Sequence, residues 1–397
     1  MKSVNRRRFL QGAAALSAAG LPLWAQRAMA EEARNERILV VVELSGGNDG
    51  LNCVVPYGDD AYYQARPSIG LAADGLLKLD DHFGLNPGML GFQRLWEKNQ
   101  LAVVHGCGYE NPSFSHFTSM AYWHTAAPNS GAEYGWLGRL ADDMAPDGRA
   151  NFLINIDARQ SLAVKSRRHT PVVFDDPERF QRRGFAGERE LRDQASEPFA
   201  GNDSRRFLHD VARSGREAAA LIRTAWAGYQ TSIDYGIAPI DLNKVAACIA
   251  AELPTRLYYV AFRNNAFDTH VQQGNLHRRL LSYACDAIHG FLADMERLGL
   301  ADRVVVLAFS EFGRRVPENA NLGTDHGAAG LMFLAGKPVR GGHYGELPSL
   351  EALDAGGNLR MTTDFRQVYA TAMDQWIAPG SAASVLGGSF ETLPIIS

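Results

Sequence analysis

Two short stretches of this chain set a carboxylate beside an imidazole. Asp268-Thr269-His270 holds them two residues apart, and Asp325-His326-Gly327 holds them side by side ahead of a glycine. Divalent cations of borderline hardness take carboxylate oxygen and imidazole nitrogen together. Asp49, in Ser45-Gly46-Gly47-Asn48-Asp49-Gly50, adds a third carboxylate, which gives donors enough for a hydrolytic centre of one or two ions. Zn²⁺ suits this donor set best, with Ca²⁺, Mg²⁺ or Mn²⁺ as the other cations it would accept. Each stretch also has a plainer reading. Asp-Thr-His is a common capped turn, and the glycines before Asp49 suit a tight turn with positive φ. No Lys-Ser/Thr follows that turn, which excludes a nucleotide P-loop. Glu311 reads equally as a further ligand, a general acid or base, or an ion-pair partner of Arg314 or Arg315. His343, in Gly341-Gly342-His343-Tyr344-Gly345, is a looser candidate for a last ligand, and His105 and His124 read as supporting or packed residues.

The nucleophile that such a centre needs is sought in Asn111-Pro112-Ser113-Phe114-Ser115-His116-Phe117. These short polar residues could open a helix with Ser113 or Ser115 at its N-terminus, where unpaired N–H groups and the helix dipole stabilise an anion. The competing reading is that the serine is an N-cap and nothing more. A metal-free Ser-His-Asp hydrolase built on Ser115 is a weaker reading, because no Gly-x-Ser-x-Gly elbow surrounds it.

The elements that must position these residues alternate between strand and helix, which predicts an α/β fold around a largely parallel sheet. Strands are expected at Ile38–Leu44, Leu101–Val104, Asn151–Ile156, Leu257–Phe262, Val304–Phe309 and Leu331–Leu334. Helical spacing of apolar residues marks Leu276–Leu298 and Phe207–Tyr229. Asp175–Ser204 is charged and poor in apolar residues and reads as a surface insertion or lid segment, within an insertion that spans about 175–235. The polar clusters follow directly after the predicted strands. Open parallel sheets bind ligands beyond the carboxyl ends of their strands, so residues distant in sequence are expected to meet on one edge. Trp123, Trp136 and Tyr134 are read as core.

Residues 1–30 have the three parts of an export signal: basic Arg6-Arg7-Arg8-Phe9-Leu10 with the twin-arginine pattern, an Ala-rich Ala13–Ala25 stretch, and Ala28-Met29-Ala30 as the cleavage site. The apolar stretch is interrupted by Gly20 and Pro22 and falls short of the roughly 20 residues that span a bilayer. Residues 31–397 are expected to form a single domain, periplasmic or secreted, with the twin-arginine translocase as a partner during export and no integral membrane segment. Cleavage leaves 35 basic against 44 acidic residues, a net charge of −9, and no basic stripe, which argues against nucleic acid. The cysteines Cys53, Cys107, Cys248 and Cys285 form no CxxC and read as small buried hydrophobes, with one disulfide left open.

Taken together, Glu43-Leu44-Ser45-Gly46-Gly47-Asn48-Asp49-Gly50-Leu51-Asn52, Ser115-His116-Phe117, Gly135-Trp136-Leu137-Gly138-Arg139, Phe267-Asp268-Thr269-His270, Ser310-Glu311-Phe312-Gly313-Arg314 and Gly323-Thr324-Asp325-His326-Gly327 resemble the domain of unknown function 1501 family. Its members are exported, sulfatase-like proteins of the alkaline phosphatase superfamily. The resemblance implies a three-layer α/β sandwich with a mainly parallel central sheet. It also implies a metal-dependent hydrolase of phosphate or sulfate esters, acting on a small-molecule or glycan ester. On that layout Asp49, Asp268, His270, Asp325, His326 and His343 would hold metal, Ser115 would be the nucleophile with Ser113 as the fallback, and Glu311 would be a catalytic residue. Two departures are visible. The first Asp-to-His spacing is two rather than four, and the Cys-x-Pro-x-Arg surroundings of a formylglycine are missing. They leave a second expectation standing, a catalytically degenerate envelope-binding protein of the same fold.

Overall fold

The structure, a computed structural model, describes residues 37–179 and 217–396. The predicted export signal and most of the charged insertion, including the first part of the Phe207–Tyr229 helix, lie outside the described residues. Residues 217–228 are helical.

The apolar run after Arg37 forms β1 (Ile38–Leu44), every residue of which is buried. A run broken only by Glu43 is what a central strand covered on both faces requires. The central sheet continues with β2 (Leu101–Gly108), β3 (Leu153–Ile156), β4 (Val172–Phe174), β5 (Leu257–Phe262), β6 (Val304–Phe309), β7 (Gly330–Ala335), β8 (Gly342–Tyr344) and β9 (Thr363–Asp364). The strand order is β8-β2-β7-β6-β1-β5-β3-β4, with β9 also on β2. β1 lies parallel to β5 and β6, in register Val41↔Tyr259 and Val41↔Leu307. Of these nine strands only β7 runs against its neighbours, antiparallel to both β2 and β6.

Alternate residues of β1 feed two cores, as the period of two along a strand dictates. Val40 and Val42 pack toward α1 (Leu90–Glu97), α4 (Leu242–Ala250) and the long α5 (Gln273–Arg297). Leu39 and Val41 pack toward α2 (His116–Thr125), α3 (Trp136–Met144) and α6 (Phe365–Thr371). The result is the expected helix–sheet–helix sandwich. Trp123 stacks on Phe309 and Phe365, and Trp136 on Tyr369, so both are core as expected. Tyr134 is half-buried, with the Arg167 guanidinium over its ring. All four cysteines are buried and unpaired, and burial pushes their thiol pKa values up.

Three parallel strands end together. β1 runs into the Gly46-Gly47 turn, β5 into Phe267-Asp268, and β6 into Ser310-Glu311. Beyond β6, Gly313–Arg314 forms a short antiparallel ribbon with His326–Gly327. That ribbon carries His326 back to the same edge.

Candidate metal centre

Close approach of two backbones builds this edge. Gly46 has φ +123, and a Cβ there would lie 2.5 Å from the Asp268 nitrogen and 2.8 Å from the Asn265 oxygen. Only glycine lets the β1 turn and the Asp268 loop meet. Arg314, almost fully buried, locks the junction. Its guanidinium donates to the carbonyls of Gly47 (2.6 Å) and Thr324 (2.7 Å) and to Asp268 Oδ1 (2.6 Å). Burial would raise the Asp268 pKa, but the hydrogen bonds from Arg314 and His326 outweigh it and bring it down to about 2. Asp268 is therefore a carboxylate at any physiological pH.

Three imidazoles surround that carboxylate. His270 Nε2 lies 3.0 Å and His326 Nε2 3.1 Å from Oδ1, and His116 Nε2 lies 3.4 Å from Oδ2. The Nε2 atoms of His270 and His326 are 2.9 Å apart. Each ring is held from behind through Nδ1. His116 Nδ1 faces Glu311 Oε1 at 2.7 Å, His326 Nδ1 faces the Phe114 carbonyl at 2.7 Å, and His270 Nδ1 faces Asp325 Oδ1 at 3.4 Å. All three outer partners can only accept, so each ring donates from Nδ1 and turns Nε2 toward Asp268, where a protonated ring donates to the carboxylate and a neutral one offers a lone pair. Hydrogen-bond acceptors behind metal-binding imidazoles act in this way.

The donors fit a divalent cation. His116 Nε2 is buried and has no hydrogen-bond partner among the described residues, an uncompensated atom that a cation would satisfy. His116, Asp268 and His326 offer ligand atoms within 4.8 Å of one another. The side chains of His116 (18 %), His326 (20 %), Asp268 (30 %) and His270 (37 %) stay partly exposed, which leaves the cluster open to solvent on one side. Two or three imidazoles, a carboxylate and an open position form the donor pattern of a catalytic rather than a structural zinc site.

Of the residues singled out from the sequence, Asp268, His270 and His326 meet here, and Asp325 reaches the cluster only through His270. Asp49 sits one layer deeper and is fully buried. Arg66 donates to both its oxygens, at 2.7 and 3.0 Å, and Gln273 donates to Oδ2 at 2.5 Å. Burial pushes the Asp49 pKa up, but the charge and hydrogen bonds of Arg66 prevail and the net shift is downward. His343 stands on β8 against β2. Its Nδ1 lies 2.8 Å from His105 Nε2, its Nε2 is 3.3 Å from Asp80, and its ring packs on Phe83 and Trp96. His124 bonds Glu43 at 2.7 Å in the core, on the opposite face from α5.

Glu311 accepts from the Gly46 N–H, Ser310 Oγ and His116 Nδ1. It pairs with neither arginine left open by the sequence: Arg314 pairs with Asp268, and Arg315 lies 3.9 Å from Asp325. Ser115 occupies the N-cap position of α2, yet its side chain makes no capping bond and it is exposed. Ser113 Oγ is instead engaged by the Ser115 N–H at 3.3 Å. The residue that sequence reasoning missed is His116. Its only signal was adjacency to the candidate serine, and nothing local shows that α2 would swing it toward Asp268, 152 positions away.

The family model described as "Protein of unknown function (DUF1501)" matches residues 36–378. The chain belongs to this family. No curated protein matches it. Among solved structures it is similar to a protein of the alkaline phosphatase superfamily from Vibrio parahaemolyticus, with 10% identity, a TM-score of 0.36 and coverage of 77% of this chain and 62% of that one. It is also similar to the C-terminal periplasmic domain of EcEptC from Escherichia coli in complex with Zn, with 12% identity, a TM-score of 0.36 and coverage of 76% and 73%. A third is the phosphonate monoester hydrolase SpPMH from Silicibacter pomeroyi, with 10% identity, a TM-score of 0.32 and coverage of 90% and 75%. The chain thus spans less than two thirds of the length of the Vibrio protein. Among the described residues no helix is long and apolar enough to cross a membrane.

Proposed function

We propose that this protein is an exported, metal-dependent hydrolase of phosphate or sulfate esters, with one divalent cation, zinc by donor type, held by His116, Asp268, His270 and His326. The observation that carries the reading is the turn of three Nε2 atoms toward one carboxylate, each ring fixed by an acceptor on Nδ1. A bound cation would polarise the ester oxygen and favour the ionised serine. The chain's own part is positional. Ser115 stands at the N-terminus of α2, beside His116, where free N–H groups favour an anionic oxygen. Its Oγ would bond to phosphorus or sulfur as the bond to the ester's alcohol breaks. The serine proton ends on the departing alcohol, and water then releases phosphate or sulfate from the serine. The twin-arginine signal in residues 1–30 would carry the folded protein out of the cytoplasm by way of its translocase, and the substrate would be a small or glycan ester.

The test is metal analysis of the purified protein with esterase assays on the wild type and Ser115→Ala. The reading expects about one equivalent of zinc and activity abolished by the substitution. Full activity in metal-free protein would refute it.

One observation favours a second reading, a catalytically silent binding protein. With Asp49 closed by Arg66 and Gln273, the open cluster has one carboxylate in direct reach, and among the described residues no base is hydrogen-bonded to the Ser115 hydroxyl. Unchanged thermal melting with chelator and no bound metal would select that alternative.

A further inference from the structure

The described residues expose nine large hydrophobic side chains, and four of them lie on the segments that carry the His/Asp cluster: Phe114 (39 %), Phe117 (91 %), Val271 (57 %) and Leu322 (39 %). The chain ties each to a ring of the cluster. The Phe114 carbonyl holds His326 Nδ1 at 2.7 Å. Phe117 follows His116 in the first turn of α2. Val271 follows His270, and Gln272 and Gln273 donate to the carbonyls of Asn321 and Leu322 at 2.9 Å each, which brings Leu322 alongside. The rings themselves are contiguous, with centroids 4.6 Å apart for His116–His326 and 4.7 Å for His326–His270. Phe117 thus adjoins the His116 end of the row, Phe114 the central His326, and Val271 and Leu322 the His270 end, while the buried Phe312 ring packs against His116 and His326.

Scattered exposed hydrophobics need no explanation, but a group of them at one polar site marks a surface that something covers. A ligand that reaches the cluster with an anionic group brings the rest of itself beside these side chains. We infer that the substrate is amphiphilic: a phosphate or sulfate ester whose alcohol portion is apolar, with the anionic group at the His/Asp cluster and the alkyl or aryl group on Phe117, Phe114, Val271 and Leu322. The inference rests on the reading of the cluster as a centre for anionic esters, and it adds the chemical class of the alcohol. A sugar alcohol offers only a C–H face to one ring and would leave the aliphatic Val271 and Leu322 in water.

The experiment is calorimetric binding of methyl, butyl and octyl phosphate to the zinc-loaded mature protein, below the micelle concentration of each. The wild type should bind all three and tighten by about two- to fourfold per added methylene. Phe117→Ser with Val271→Ser, both at exposed positions that carry little of the fold, should bind methyl phosphate as the wild type does and lose most of the chain-length dependence. Methyl phosphate binding with a flat series would overturn the amphiphilic substrate and leave the anionic centre standing. Failure of all three phosphates to bind would remove both. A flat series in a protein that sediments with phosphatidylglycerol vesicles, and ceases to in the double variant, would overturn the inference in favour of a rim that docks on a bilayer.

Discussion

His116 gives its Nδ1 proton to Glu311 at 2.7 Å, and this bond decides which nitrogen faces Asp268. The same bond leads the causes that raise the His116 pKa, ahead of the opposing effect of burial. Glu311 is itself immobile, since both its oxygens accept the Gly46 N–H and it is fully buried. The carboxylate after β6 thus orients a ring delivered by α2. Replacing Glu311 with Gln keeps the shape and removes the charge. Zinc affinity, measured by competition with a chelator, should fall by about tenfold, at the lower end of what an orienting partner contributes. His116→Ala should cost more. Equal affinity in Glu311→Gln and wild type would show that the contact does not tune the site.

Asp49 and Arg66 form a second, wholly buried pair that serves the frame instead. Arg66→Met would strand a buried carboxylate and should destabilise the fold by about 3–5 kcal/mol in urea unfolding. Asp49→Asn should leave zinc affinity unchanged, because Arg66 and Gln273 already occupy the oxygens. A loss of bound zinc in that variant would place Asp49 in the centre after all. The pH sign follows from its lowered pKa. The pair's stabilisation is complete above the ordinary carboxylate range and is lost as pH falls through the lower, folded value.

His277 predicts acid sensitivity in a milder range. It is buried, its Nε2 donates to Asn48 Oδ1 at 2.8 Å, and burial holds its pKa down to about 4 from an ordinary 6.5. The folded ring stays neutral where the unfolded one takes a proton. Its stability contribution is therefore whole above pH 6.5 and declines as pH falls toward 4, by about 1.4 kcal/mol per pH unit. His105, brought to about 3 chiefly by burial, adds a slope of the same sign. Urea midpoints at pH 7.5, 5.5 and 4.5 should fall in that order, and His277→Gln should flatten the decline. An equally steep decline in that variant would assign the acid sensitivity elsewhere.

The legible parts of the fold were those with a nearly continuous apolar run. Ile38–Leu44, Leu257–Phe262 and Val304–Phe309 form strands with the expected bounds, because burial keeps them apolar apart from Glu43 and the two tyrosines, Tyr258 and Tyr259. The direction of β7 was not legible, since an apolar run looks the same read either way. Strands of two or three residues such as Gly342–Tyr344 carry too little pattern to register. In the centre, Asp268, His270, Asp325 and His326 stood out because carboxylate and imidazole are neighbours in the chain. His116 and Arg314 did not, because their partners are distant in sequence and only the close approach at Gly46 brings them together.

That approach gives the last prediction. Alanine at position 46 meets two obstacles: a φ of +123, and a Cβ 2.5 Å from the Asp268 nitrogen, a contact made by backbone that no rotamer change relieves. The strained dihedral alone costs roughly 1–3 kcal/mol. Relief of the contact requires the Asn265–Asp268 segment to shift, and with it the carboxylate that three imidazoles face. Gly46→Ala should therefore lower both the unfolding midpoint and zinc affinity. Gly75 supplies the control: it has no atom within 4 Å of a built Cβ, so the same substitution there should be neutral or stabilising by about 0.4–1 kcal/mol and leave zinc binding untouched. If Gly46→Ala unfolds more easily but binds zinc as tightly as Gly75→Ala, the Gly46 contact supports the fold without positioning Asp268.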